Sequence, residues 1–218
     1  MHLPASENSE PLTAPRLVWA PRRAKRCFDV AIALPAVIVL TPLFALLMVF
    51  IKLDSRGAVF FRQVRVGRGG HEFRIFKFRT MVADAEARGA QITVGADQRI
   101  TRAGHLLRQT KLDELPQLLN VVKGEMSLVG PRPEVPRYVA LYGEAQQPIL
   151  ALTPGITSLA SLQFRHESAL LAAQVDPEKF YLTEVVPEKI RIDLAYAQRA
   201  TVLSDLAVIG KTVACLFG

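Results

Sequence analysis

The chain has 218 residues, half of them hydrophobic, and carries 27 Lys+Arg against 20 Asp+Glu, for a formal net charge of +7. That length holds one sizeable domain with appendages, and the basic balance points to an anionic partner such as nucleic acid, phospholipid headgroups or a phosphorylated substrate. The two cysteines, Cys27 and Cys215, exclude a disulfide framework or a metal cluster and read as two buried thiols in a reducing compartment.

Residues 1–21 place Pro4, Pro11, Pro15 and Pro21 among small and polar residues and read as a tail. They do not read as a signal peptide, because Glu7 and Glu10 come early and no apolar core follows closely. After the basic cluster Arg22-Arg23-Ala24-Lys25-Arg26, the chain runs from Val30 to Ile51 for 22 residues without a charge. That is the length needed to cross a hydrocarbon core of about 30 Å; a buried core helix is the alternative. Pro35 and Pro42 lie inside the run, and each removes a helical hydrogen bond. Thr41 offers a hydroxyl to a freed carbonyl next to Pro42. A bend at Thr41-Pro42 would return the helix to the face it entered. The flanking cations favour that geometry: Arg22, Arg23, Lys25 and Arg26 precede the run, and Lys52, Arg56, Arg62, Arg65 and Arg68 follow it. Both flanks therefore claim the cytoplasmic side. A kinked but spanning helix is the other reading.

Val59 to Val66 and Glu72 to Arg79 flank Gly67-Arg68-Gly69-Gly70 and predict a β-hairpin. In its second strand Phe76 and Phe78 point one way, and Lys77 and Arg79 the other. The cations either face an anionic site or are simply solvated. Residues 82–100 read as loop and short helix. A helix is expected over about Arg102 to Gln109, and another from Glu114 to Lys123, with Leu115, Leu118, Leu119 and Val122 on one face and Gly124 closing it. Residues 148–163 read as irregular with one turn. The last third is helical: Pro187 suits a first turn with Ile190, Leu194 and Ala197 behind it. From Leu203, the positions Leu206, Ile209, Val213 and Leu216 make a stripe that either lies in a membrane interface or packs on the domain. The class expected is α+β, mostly helical.

The chemistry concentrates around Asp113. It precedes an amphipathic run at an N-cap position, with Glu114 opening the helix and Pro116 tolerated in the first turn. The positive end of the helix keeps such a carboxylate ionised; an ordinary structural N-cap is the plain alternative. Arg108 and Lys111 lie just upstream, Arg132 sits between Pro131 and Pro133, and Lys77 and Arg79 are on the predicted strand. A carboxylate among cations is what phosphoryl chemistry requires, because an anionic nucleophile approaches phosphate only when positive groups offset the repulsion. Arg and Lys clamp the oxygens, Mg²⁺ bridges carboxylate and diphosphate, and the carboxylate can form an acyl phosphate. No Walker-type loop or paired His/Cys spacing competes, and Gly67-Arg68-Gly69-Gly70 is too short for a dinucleotide fingerprint. His71, His105 and His166 are isolated, and Ser127 lacks a nucleophile elbow. The scattered basic residues match no nucleic-acid-binding module, so nucleic acid is not expected as a partner.

Several long motifs occur in order: Lys25-Arg26 with Asp29, Phe76-Lys77-Phe78-Arg79-Thr80-Met81, and Arg99-Ile100-Thr101-Arg102 with Gly104. Then come Leu112-Asp113-Glu114-Leu115-Pro116-Gln117-Leu118 with Asn120-Val121, and Lys123-Gly124-Glu125-Met126-Ser127-Leu128-Val129-Gly130-Pro131-Arg132-Pro133. From about Lys25 to the C-terminus the chain thereby resembles the bacterial sugar transferases, the monotopic phosphoglycosyl transferases. The resemblance implies that Asp113 is the nucleophile that takes up a phosphosugar and Glu114 its acidic partner. Mg²⁺ would be held at Asp113 and the diphosphate. Arg132, with Arg108 and Lys77, would contact phosphate, and Arg79 and Lys111 belong to the same expected set of cations. The donor would be a UDP-sugar, the acceptor undecaprenyl phosphate, and the products UMP and a polyprenyl-diphosphosugar, as the first membrane step of polysaccharide or glycan synthesis. The setting would be the cytoplasmic face of a bacterial inner membrane, in contact with phospholipid; a homo-oligomer is left open. The family's re-entrant helix usually breaks at Ser-Pro, and here Thr41-Pro42 falls at that place. The expected organisation is a tail over 1–21, a basic flank and re-entrant helical hairpin over 22–56 with its break near 41–42, and a catalytic domain over 57–218, resembling a minimal catalytic unit without the extra N-terminal membrane domain of larger relatives. One segment departs from the family: where Arg-Pro-Gly-Ile-Thr-Gly-Trp-Ala-Gln-Val is common, this chain has Thr153-Pro154-Gly155-Ile156-Thr157-Ser158-Leu159-Ala160-Ser161-Leu162, followed by Arg165-His166-Glu167. That leaves the sugar unassigned. A non-catalytic, basic, membrane-associated adaptor is the alternative function.

Overall fold

The long uncharged run forms one helix, α1, spanning Arg22–Asp54. The computed structural model describes residues 22–85 and 97–217, so the tail expected over 1–21 and the middle of segment 82–100 lie outside the described residues. Among the described residues, α1 is the one helix long and apolar enough to cross a membrane. Its inward positions fall at helical spacing: Ala33, Phe44, Leu47 and Ile51 are buried, and Ile32, Ala36, Val37, Leu40, Leu43 and Met48 are partly buried against the same clusters. The opposite face carries Leu34, Ile38, Val39, Leu46, Val49 and Leu53, with Val39 75% and Leu53 82% exposed. The interruption expected at Thr41-Pro42 does not appear as a gap, because helical backbone continues through Pro35 and Pro42. Proline's fixed φ is itself helical, the Thr41 hydroxyl donates to the Val37 carbonyl at 2.9 Å, and the packed stripe holds both halves of the helix against the protein.

Both ends of α1 are docked by charge. Lys25, one of the cations flanking the apolar run, is buried and makes ion pairs with Asp29 at 2.8 Å and Asp205 at 2.7 Å. Asp29 also accepts from the Leu128 amide at 3.2 Å. Arg26 donates to the Val121 carbonyl and, at 2.6 Å, to the Val122 carbonyl. At the far end Arg79 donates to the Ser55 carbonyl at 2.7 Å and also to the Ala58 carbonyl, closing off the helix C-terminus. The cysteines are a correction: Cys27 and Cys215 are both exposed, since each occupies an outward position of its helix.

The predicted hairpin is present. Strands β1 (Phe60–Val66) and β2 (Glu72–Phe78) pair antiparallel, with Phe61 opposite Lys77 and Arg65 opposite Phe73. Helix α2 (Arg102–Gln109) has the expected bounds and is capped by the Thr101 hydroxyl, which accepts from the Gly104 amide at 3.0 Å. The next helix starts later than expected: Leu112–Glu114 is a 3-10 turn, and α3 covers Gln117–Lys123, ending at Gly124 with φ +90°. Segment 148–163 is more ordered than its prolines suggest. After a 3-10 turn at Gln147–Ala151, strand β4 (Gly155–Thr157) pairs in parallel with β3 (Ser127–Val129). A Cβ on Gly155 would lie 2.1 Å from the Gly130 amide nitrogen, so this close approach demands glycine.

The remainder is helical: α4 (Pro136–Val139), α5 (Leu159–Gln163), α6 (Glu167–Ala172), α7 (Pro177–Phe180), then a π turn at Tyr181–Val185 leading into α8 (Val186–Ala197) and α9 (Val202–Phe217). Among the described residues three apolar clusters result. One, under α1's second half, joins Phe44, Leu47 and Ile51 to Phe78 and Leu107. A central one joins Ala33 to Ile75, Val121, Val129 and Val208. The third, built from Tyr138, Ile149, Leu171, Tyr181, Ile190 and Leu194, contains no residue of α1.

Candidate active site

The site forms where β2, the 3-10 turn and the segment after β3 converge. Asn120 on α3 is fully buried and welds α3 to β2: its side chain accepts from the Phe76 amide and donates to the Arg74 carbonyl, each at 2.9 Å. The next residue along β2, Lys77, therefore faces the turn, and its ammonium donates to Glu114 at 2.8 Å. Arg132 grips the same carboxylate with two hydrogen bonds, at 2.6 and 3.2 Å. Burial by itself pushes Glu114 up, but Arg132 and Lys77 outweigh it and hold its carboxyl well below the usual carboxylate range. Burial lowers Lys77, and Glu114 opposes that shift.

Asp113, one residue earlier, is in the opposite condition. It is 8% exposed, and its Oδ1 is buried without a hydrogen-bond partner among the described residues. Burial, then the neighbouring Glu114 charge, raises its pKa; Lys77, Arg108 and Lys111 pull it back down. The expected N-cap role is corrected. Pro116 holds the N-cap position of α3 without a side-chain cap, and Asp113 sits inside the preceding 3-10 turn. That turn begins at Lys111, with φ 55°, the one non-glycine positive φ among the described residues. The left-handed residue turns the chain out of α2 and drives the Asp113 carboxyl inward.

The expected cations divide. Lys77 and Arg132 are at the site, locked to Glu114. Arg108 reaches it from α2, its Nε donating to the Thr80 hydroxyl at 2.8 Å, and its charge acts on Asp113. Helix α2 can approach Thr80 this closely only because residue 104 is glycine: a Cβ there would stand 2.0 Å from the Thr80 carbonyl oxygen. Lys111 is exposed at the rim. Arg79 is not part of the site; it turns to the end of α1, because alternation along β2 fixes a face but not how far along that face a long side chain reaches. Thr41 and Pro42 lie on the exposed side of α1.

Sequence reasoning passed over several positioning residues. Arg65 donates to the Pro133 carbonyl at 2.9 Å and to Gln63 at 2.6 Å. The Val66 amide donates to the Glu134 carbonyl at 2.9 Å, and the Tyr181 hydroxyl donates to the Glu134 carboxylate. Together these hold the Pro131-Arg132-Pro133 backbone against β1. The only sequence signal for Arg65 was its period-two relation to Gln63 in the hairpin; nothing linked Tyr181 to Glu134. Among the described residues no group of three or more His, Cys, Asp or Glu is placed to hold a metal. A single carboxylate with a free oxygen is nevertheless the donor set that suits Mg²⁺, which keeps several waters and takes its remaining ligands from substrate phosphates.

The family profile described as Bacterial sugar transferase matches residues 20–218. The chain is 35% identical over 205 residues to the exopolysaccharide production protein ExoY of Sinorhizobium fredii, an alignment covering 87% of this chain and 84% of that protein. It is 36% identical over 193 residues to the UDP-N-acetylgalactosamine-undecaprenyl-phosphate N-acetylgalactosaminephosphotransferase of Aeromonas hydrophila, covering 87% of this chain but 42% of that longer protein. The UDP-glucose:undecaprenyl-phosphate glucose-1-phosphate transferase of Caulobacter vibrioides is 34% identical over 203 residues, covering 88% of this chain and 69% of that protein.

Proposed function

Because the chain belongs to the bacterial sugar transferase family, we propose that it moves a sugar 1-phosphate from a UDP-sugar to undecaprenyl phosphate, with Asp113 as the covalent nucleophile. The observation that carries this reading is the buried Oδ1 of Asp113, unpartnered among the described residues, beside the Lys77–Glu114–Arg132 cluster. Relatives named as undecaprenyl-phosphate sugar phosphotransferases support the substrate class.

In this reading Asp113 attacks the sugar-bearing phosphorus. A bond forms between Oδ1 and phosphorus, the bond from that phosphorus to the oxygen bridging to the nucleotide breaks, and UMP leaves with the electron pair. An oxygen of the lipid phosphate then attacks the acyl phosphate and returns Asp113 as carboxylate. Glu114 is committed to two cations and acts by positioning them. Arg132 uses two of its five N–H donors on Glu114, which leaves donors for phosphate oxygens. Lys77 and Arg108 lower the repulsion between carboxylate and diphosphate. Mg²⁺ bound at Asp113 and the diphosphate would supply further charge neutralisation.

The membrane setting is supported by α1. Its outward apolar face suits lipid, and both of its ends dock on one protein body, at Lys25–Asp205 and at Arg79–Ser55. That arrangement favours a helix that enters and leaves on the same face, the cytoplasmic one, where a soluble nucleotide sugar meets a lipid phosphate. The test is UMP release by detergent-purified protein given undecaprenyl phosphate, Mg²⁺ and a panel of UDP-sugars. Wild type should release UMP with at least one donor, and Asp113→Asn should lower the rate by more than about a thousandfold. Equal activity in the two proteins would refute the nucleophile.

A further inference from the structure

Gln117, at the start of α3, is 1% exposed, and its Nε2 has no hydrogen-bond partner among the described residues. We infer that this carboxamide is a further catalytic group, which donates an N–H to a non-bridging oxygen of the sugar-bearing phosphorus as Asp113 attacks. The inference rests on the Asp113 reading above.

The position of Gln117 follows from the tight winding of this stretch. The amides of Leu115, Leu118 and Leu119 donate to the carbonyls of Leu112, Leu115 and Pro116, three residues back, at 3.3, 3.1 and 3.0 Å. Such winding brings side chains at i and i+3 into line, so Glu114, Gln117 and Asn120 make one row. Both ends of the row meet β2. Glu114 accepts from Lys77, and Asn120 bonds the Phe76 amide and the Arg74 carbonyl. Leu118 and Val121 turn the other way and pack in the cluster of Ala33 from α1. Gln117 therefore lies between Asn120 and the Lys77–Glu114 pair, one turn after Asp113.

The ends of that row are bonded and its middle is not. A buried N–H without an acceptor is costly, and Leu or Met would fill a similar volume without the cost. The Oδ1 of Asp113, one turn earlier, is likewise buried without a partner among the described residues. A phosphoryl group between the two satisfies both: phosphorus faces the carboxylate oxygen, and a non-bridging oxygen on that phosphorus accepts from the amide. Charge favours an amide here. A cation at residue 117 would pair with Asp113 and hold back the nucleophile. A neutral donor leaves Asp113 free and still meets the charge carried by the non-bridging oxygens in the transition state. No proton moves. Oδ1 bonds to phosphorus, the bond to the bridging oxygen breaks, UMP takes the electron pair, and the amide keeps both hydrogens.

The test is the burst of UMP released without acceptor, which reports the first step alone. Full-length protein in detergent is mixed with Mg²⁺ and saturating UDP-sugar, using each donor of the panel, and quenched rapidly. Gln117→Met keeps the volume and removes the donor; it should slow the burst by about a hundredfold, with KM changed little. Gln117→Asn draws the amide back by one methylene and should slow the burst by about tenfold or more. Thermal unfolding shows whether each variant is folded, and Gln117→Met should not lower the midpoint, since it removes an unpaired amide. If Gln117→Met does not fold, Gln117→Asn decides. A wild-type burst rate in a folded variant would overturn the inference, as would a lowered midpoint with kcat untouched, which marks a structural amide. A wild type that shows a burst while the variants match it sinks only the role of Gln117; a wild type with no burst for any donor sinks the covalent Asp113 reading as well.

Discussion

Asp113 and Glu114 are adjacent carboxylates in one 3-10 turn, yet they meet opposite surroundings. Glu114 is saturated by Lys77 and Arg132, whereas Asp113 has a buried oxygen with no hydrogen-bond partner among the described residues. The raised pKa of Asp113 has a kinetic consequence, because only the ionised form attacks phosphorus. The acid limb of the pH–rate profile should lie above the ordinary aspartate range, with activity rising with pH through it. Lys77→Met removes a charge that holds this pKa down and should move the limb to higher pH, besides slowing turnover. A profile whose limb stays in place would show that Lys77 does not act on Asp113. Glu114 works in the other direction for stability. Its folded pKa lies below the ordinary value, so the stability it contributes is complete above that value and is lost as pH falls through the folded pKa. In Glu114→Gln the two cations lose their counter-charge. The expected destabilisation is roughly 3–5 kcal/mol at neutral pH, read from denaturant unfolding in detergent.

Helix α1 presents the same amphipathic logic over 33 residues, with an apolar stripe on the protein and an apolar face left over. Its prolines sit on the exposed side, where a missing hydrogen bond leaves the packed stripe intact. If both ends lie on one side of the membrane, native Cys27 near the first end and an Arg56→Cys probe just past the second should react alike with a membrane-impermeant maleimide. In a Cys215→Ser background, inverted vesicles should label both positions and right-side-out vesicles neither. Opposite labelling would mean a spanning helix.

At the scale of the whole molecule, Lys25, Asp29, Asp205 and Tyr196 form a buried knot that ties α1 to α9 and, through the Leu128 amide, to β3. The knot explains why a cation from the basic cluster is turned away from any lipid surface. Lys25→Met leaves two buried carboxylates uncompensated and should destabilise the protein by roughly 3–5 kcal/mol, whereas Arg23→Ala, at an exposed position, should leave thermal unfolding nearly unchanged. Equal effects of the two substitutions would show that the Lys25 ion pairs do not hold α1 to α9.

Much of this was legible in the residues alone. The hairpin, α2, α8 and α9 lie where period, glycine turns and first-turn proline put them, because those signals are local: they act within a few residues of the backbone they shape. The motif around Asp113 was legible for the same reason. What the chain could not announce was the direction of its charges. Lys77 and Arg79 were expected on one strand face, yet one meets Glu114 and the other closes α1; Lys25 and Arg26 read as part of one basic flank, yet they bind Asp205 and the carbonyls ending α3. A long charged side chain reaches several ångströms in many rotamers, so its partner is chosen only when distant segments pack. The same holds for the parallel pairing of β3 with β4 and for the Asp113 oxygen, which is buried without a donor among the described residues only once the 3-10 turn, β2 and α2 have packed together.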